Sequence, residues 1–135
     1  MTEVKEVDIV ICGAGLVGLS LGAALTESDL RVLILDAQSQ PQAPVDAQVV
    51  RHDFDLVSGF APRVSALNKN SVAFLKRVGA WQSVSRSSAF VAMSVKDAVG
   101  TGIIEFDADF IGRSELGHIV ENQRVISALL MQLVE

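Results

Sequence analysis

Asp8-Ile9-Val10-Ile11-Cys12-Gly13-Ala14-Gly15-Leu16-Val17-Gly18 decides how the rest of the chain is read. An apolar, mostly β-branched run leads directly into G-x-G-x-x-G, and a helical pattern of Leu, Ala and Gly follows. That order describes the first strand, turn and helix of a dinucleotide-binding βαβ unit. Gly13 allows the tight turn, Gly15 the close approach of backbone to a pyrophosphate, and Gly18 the close packing of helix on strand. The phosphates would lie against the first turn of the helix, at Ala14, Leu16 and Val17, where unpaired N–H groups and the macrodipole favour negative charge.

A glycine pattern alone is a weak signal, so its surroundings carry the reading. Leu30-Arg31-Val32-Leu33-Ile34-Leu35 reads as a second strand and ends in Asp36, 18 positions beyond Gly18. A carboxylate at about that spacing holds the ribose hydroxyls of a bound dinucleotide. The competing reading is a membrane span or signal segment, because residues 9–26 carry no charge. Four glycines within that run, and a flank with Glu3, Glu6 and Asp8 against Lys5, argue against it.

Composition narrows the class. Half of the 135 residues are hydrophobic and the mean hydropathy of +0.40 is high for a soluble domain of this size. A net charge of −5 and the lack of a basic stripe argue against a nucleic-acid partner. The one cysteine, Cys12, rules out an internal disulfide and is expected to be a small core residue of the first strand. No metal-ligand spacing and no G-x-S-x-G nucleophile motif is present. No targeting signal is visible, so the default compartment is the cytoplasm.

Taken in order, strand one is expected over residues 7–12, helix one over 16–27 and strand two up to Asp36. Residues 37–62, with Pro41, Pro44 and Pro62, read as a long irregular connection, mobile at first and then returning towards the nucleotide from Asp53. Helix two starts after Asn68 as N-cap, turns Val72, Leu75 and Val78 inward, and stops at Gly79. Residues 90–97 and 102–107 form two strand-like runs joined by a hairpin turn at 98–101. Residues 117–122 lead into a last helix over 122–135 with Val125, Ile126, Leu129, Leu130 and Leu133 on one stripe. That helix lacks a stop signal and a doubly wound sheet needs more strands, so the chain is expected to be the N-terminal piece of a longer protein.

Four blocks in this order carry a family resemblance: the glycine stretch, Arg63-Val64-Ser65-Ala66-Leu67-Asn68, Val78-Gly79-Ala80-Trp81, and Leu116-Gly117-His118-Ile119-Val120-Glu121-Asn122. Together they resemble the N-terminal third of the ubiquinone-biosynthesis hydroxylases, flavoprotein aromatic monooxygenases acting on polyprenylated phenols. The resemblance implies an α/β, Rossmann-like FAD-binding domain, incomplete here: residues 1–87 its first part, 88–108 a β-hairpin on the substrate-domain side, and 109–135 a return to the FAD-binding domain. It implies FAD held without a covalent link, NAD(P)H as co-substrate, and O₂ as the source of the oxygen placed on a polyprenyl phenol. It leaves open a peripheral association with the inner membrane or with a biosynthetic complex. Residue by residue, Gly13, Gly15 and Gly18 match the diphosphate turn, with Ala14, Leu16 and Val17 between them. Asp36 matches the ribose carboxylate, Arg63 an arginine beside the FAD, and Asn122 a polar position before a helix that touches the cofactor. The family's later Asp-Gly and Gly-Asp segments do not occur, and no catalytic acid or base is assigned.

Each residue also has a plainer reading. Asp36 could simply end a strand, Arg63 could be a surface charge, and Asn122 could be a helix N-cap. His118 beside Ile119 and Val120 reads as structural, His52 as solvated, and Trp81 as packing beneath helix two. The alternatives to a flavin hydroxylase are a nicotinamide-dependent dehydrogenase using the same fingerprint, or a nucleotide-binding module without turnover.

Overall fold

The computed structural model describes residues 6–37 and 60–133. Strand β1 (Ile9–Cys12) runs into helix α1 (Leu16–Leu25), and β2 (Val32–Leu35) returns beside β1 in parallel, with Ile9 opposite Val32 and Cys12 opposite Leu35. This is the strand–helix–strand start of a Rossmann-like domain. At the far end of the pair, both Asp8 carboxylate oxygens accept from Arg31: Oδ2 takes the backbone N–H and Nε, and Oδ1 takes Nη2. Helix α1 is shorter than expected, because residues 26–29 turn away, with Ser28 N–H and Oγ–H both donating to Leu25 O.

The second half contains a sheet that the sequence pattern did not announce. Strand β3 (Val64–Asn68), β4 (Ser87–Phe90) and β7 (Gly117–Glu121) form it, with β7 in the centre and antiparallel to both neighbours. Between β3 and β4 lie helix α2 (Lys69–Arg77) and a 3₁₀ turn (Trp81–Ser83). Asn68 caps α2 as expected, its side chain accepting from Ser71 N–H at 2.9 Å. Gly79 takes φ +78°, which ends the helix.

The expected strand over 90–97 is in fact two. Phe90 ends β4, Val91 breaks the run, and β5 (Ala92–Lys96) pairs with β6 (Ile103–Asp107) as a separate hairpin. The backbone bonds explain the break: Phe90 O accepts from Leu116 N–H, while Val91 O accepts from Ala108 N–H, so adjacent carbonyls serve different partners. Helix α3 (Asn122–Leu133) then follows β7 without a break.

One core joins the two halves. Leu19 and Ala23 of α1 meet Val125, Ala128 and Leu129 of α3, with Leu75, Ala80 and Val120 closing the cluster. Gly22 makes the close packing feasible, since a Cβ there would lie 2.7 Å from Ile34 Cδ1 and 3.4 Å from Leu133 Cδ2. The outer face of β1–β2 is not covered by any described element. Val10 and Leu35 are therefore exposed, and so is Cys12, which corrects the expectation of a core cysteine. Strand alternation is the cause: Ile11 faces α1 and is buried, so its neighbours Val10 and Cys12 face the other way. No helix among the described residues is long and apolar enough to cross a membrane.

Candidate functional site

The glycine turn has the geometry its sequence implies. Gly13 sits at φ +105°, a conformation that L side chains rarely adopt, and its N–H donates to Leu35 O at 2.6 Å. This bond ties the turn to the end of β2. At Gly18 an added Cβ would stand 1.8 Å from Gly13 O and 3.2 Å from Ile11 Cγ2, so only glycine lets the first turn of α1 rest on the loop. Gly15 differs: its φ of −82° suits any residue, and a Cβ there would meet nothing within 4 Å. No contact within the described protein requires glycine at position 15. A ligand brought against the backbone would.

Helix α1 opens with Gly15 as N-cap, so no side chain caps its N–H groups, and no acidic residue occupies its first turn. Leu16, Val17 and Gly18 follow at the mouth, with Val17 83% exposed. Open amides, a positive helix end and empty space before Gly15 are what a diphosphate requires. Asp36 stands at this mouth. Its Oδ2 accepts the Ala14 backbone N–H at 2.6 Å, which holds an exposed carboxylate beside the turn.

Arg63 and Asn122 form a second group. Asn122 N–H donates to Arg63 O at 3.0 Å. Asn122 is the first residue of α3 and not its cap, because its Oδ1 accepts the Ser65 hydroxyl at 2.6 Å instead of a helix amide. Its Nδ2 makes no hydrogen bond among the described residues. Arg63 lies on the surface, and its guanidinium has no carboxylate partner among the described residues. Since α1 and α3 share the core, the glycine turn and the Arg63–Asn122 pair are fixed on one framework.

Beneath Arg63 lies a charged cluster that residue patterns did not reveal. Glu121, 4% exposed, accepts from Arg86 Nε at 2.6 Å and Arg124 Nε at 2.9 Å on Oε1, and from Ala61 N–H at 2.7 Å on Oε2. Burial pushes its pKa up, but the bonds from Arg86, Ala61 and Arg124 outweigh this and hold it at about 2. The sequence signal was there in principle: Glu121 and Arg124 are three apart across a strand–helix junction. Arg86 and Ala61 lie 35 and 60 positions away, beyond local reading.

His118 stays structural in its contacts. Its ring meets Trp81 edge-on at 5.2 Å, Nε2 is 3.4 Å from Glu115 Oε2, and Nδ1 is buried without a hydrogen-bond partner. Trp81 packs against the core cluster that includes Leu75 of α2. His52 and most of the 37–62 connection lie outside the described residues.

Fold and glycine turn together define the strand–helix–strand opening of a Rossmann-like domain. Residues 11–67 match the family described as NAD(P)-binding Rossmann-like domain. Over nearly its whole length the chain is homologous to the N-terminal part of ubiquinone hydroxylases. It is 30% identical over 134 residues to the mitochondrial ubiquinone biosynthesis monooxygenase of Drosophila melanogaster, covering 95% of this chain and 26% of that protein. It is 28% identical over 130 residues to the ubiquinone hydroxylase of Rhodospirillum rubrum, covering 96% and 27% respectively. An uncharacterized protein of Synechocystis is 26% identical over 126 residues. The chain thus spans about a quarter of the length of the curated relatives it matches.

Proposed function

We propose that this chain is the N-terminal FAD-binding portion of a flavoprotein monooxygenase that hydroxylates a polyprenylated phenol in ubiquinone biosynthesis, using NAD(P)H and O₂. The observation that carries the dinucleotide part is the contrast within the glycine turn: Gly13 and Gly18 are required by the protein itself, while Gly15 faces open space. The homology to ubiquinone hydroxylases supports the choice of flavin chemistry.

In this reading the amides of Leu16, Val17 and Gly18 donate to the diphosphate, and Gly15 lets its oxygens approach the backbone. The Asp36 carboxylate, placed by the Ala14 amide, accepts the adenosine ribose hydroxyls. Arg63 offers a planar guanidinium to phosphate or ribityl oxygens, and Asn122 offers Nδ2 as a donor beside it. When bound, FAD supplies the redox chemistry between NAD(P)H, O₂ and the phenol ring; the residues here bind and orient it. The hairpin of β5 and β6 belongs, in the same reading, to the substrate-domain side. Its Met93, Val95, Ile104 and Phe106 share one exposed apolar face, which suits burial against further polypeptide.

The test is to purify the intact protein containing this segment and record its spectrum. Bound flavin absorbing at about 450 nm, with NAD(P)H oxidation stimulated by a polyprenyl phenol, is the expected result. The match to an NAD(P)-binding family model favours one second reading, a nicotinamide dehydrogenase. A colourless protein that gains thermal stability from NAD(P)H and none from FAD would establish it.

A further inference from the structure

We infer that Glu121 is a positioning residue: it seats residues 60–63 and so sets where the Arg63 guanidinium stands at the cofactor. The inference rests on the proposed reading of the site as a flavin-dinucleotide cradle to which Arg63 contributes.

Stability alone does not account for the cluster. A buried carboxylate with two guanidinium partners gives up so much hydration that apolar replacements are often as stable. What the cluster does is geometric. The two carboxylate oxygens divide their partners, Oε1 taking Arg86 and Arg124 and Oε2 taking the Ala61 amide. The Arg86 guanidinium in turn lies 4.3 Å from the centre of the Phe60 ring. Phe60 and Ala61, adjacent in sequence, are therefore both tied to one carboxylate. Pro62 follows with a fixed φ and no N–H. The next carbonyl, that of Arg63, accepts from Asn122 N–H.

Glu121 and Asn122, consecutive residues, thus grip the chain on both sides of Arg63, while the Arg63 side chain itself stays exposed. The anchor is buttressed separately, because Arg124 also donates to the Ser85 hydroxyl. An exposed arginine has many rotamers, so a rigid backbone beneath it is what narrows the reach of its guanidinium. With its carboxyl held at about 2, Glu121 remains charged at any physiological pH, and the seat is permanent.

A double-mutant cycle in the intact protein tests this, read as FAD dissociation constants from flavin fluorescence, with apo-protein melting curves alongside. Arg63→Ala and Glu121→Gln are each expected to weaken FAD about tenfold, and the double variant to bind no worse than Arg63→Ala alone. Losses that multiply to about a hundredfold, or a Glu121→Gln variant that binds like wild type, overturn the inference. An Arg63→Ala variant with wild-type affinity instead removes Arg63 from the cofactor site, and the inference goes with it. If Glu121→Gln does not fold, Phe60→Ala serves in the same cycle, since Phe60 is 68% exposed and lies outside the core. It is expected to weaken FAD about threefold only where Arg63 is present; no loss, or equal loss in both backgrounds, overturns the inference.

Discussion

The Asp36 carboxylate accepts the backbone N–H of Ala14 at 2.6 Å across 22 positions of sequence. With the bond from Gly13 N–H to Leu35 O, it joins the end of β2 to the glycine turn, so the acid and the turn move as a unit. In the proposed reading the side chain has two separable jobs: holding the turn, which any acceptor can do, and meeting ribose hydroxyls, which profits from charge.

Asp36→Ala should therefore weaken FAD binding by the intact protein about 10- to 30-fold, the equivalent of a lost hydrogen bond to a charged group. Asp36→Asn keeps an acceptor for Ala14 and should lose only about threefold. Isothermal titration of the two variants measures the difference; equal losses would mean that the charge does nothing at the ribose.

Gly18→Ala should destabilise the fold by about 2 kcal/mol or more, because the new Cβ meets Gly13 O, a backbone atom that cannot rotate aside. Gly117→Ala should do the same in the three-stranded sheet, where the Cβ would lie 2.1 Å from Leu67 O. Chemical denaturation of each variant checks this, and a midpoint like wild type would show the helix or strand can shift freely.

The Glu121 cluster sets an acid limit. Its folded-state pKa of about 2 lies below the ordinary 4.5, so the carboxylate contributes stability fully above about pH 4.5 and loses it as the pH falls towards 2. The contribution is of order 3 kcal/mol. Melting temperatures of wild type should drop steeply across this window, while Glu121→Gln, less stable at neutral pH, should show a shallower slope there. Parallel slopes would show that another carboxylate governs acid unfolding.

How much of this was legible in the residues follows from the range of the interactions. The Asn68 cap depends on a neighbour three positions away, and the β1–turn–α1–β2 unit closes within about twenty positions around glycines whose backbone needs are local. Cys12 was misjudged because burial in a strand depends on which face is covered, and the sequence does not state that. Strands β3 and β7 were invisible as strands since their register, Val64 with Glu121 and Asn68 with Gly117, spans about fifty positions. The Glu121 cluster was missed for the same reason. A charged residue in an apolar strand, three before an arginine, is the only local trace it leaves.

His118→Phe should leave stability within about 0.5 kcal/mol of wild type or raise it slightly. The ring keeps its edge contact with Trp81, and a buried Nδ1 without a partner disappears. Loss of flavin or of turnover in a variant that melts normally would instead give His118 a part in function.

The most direct measurement is FAD affinity and melting temperature of Gly15→Ala in the intact protein. The φ of −82° and the open space around this position predict a fold within about 0.5 kcal/mol of wild type. A diphosphate lying against that backbone predicts affinity reduced more than about tenfold. Normal stability with lost flavin is the expected result. Normal stability with wild-type affinity would contradict the placement of the diphosphate at the opening of α1.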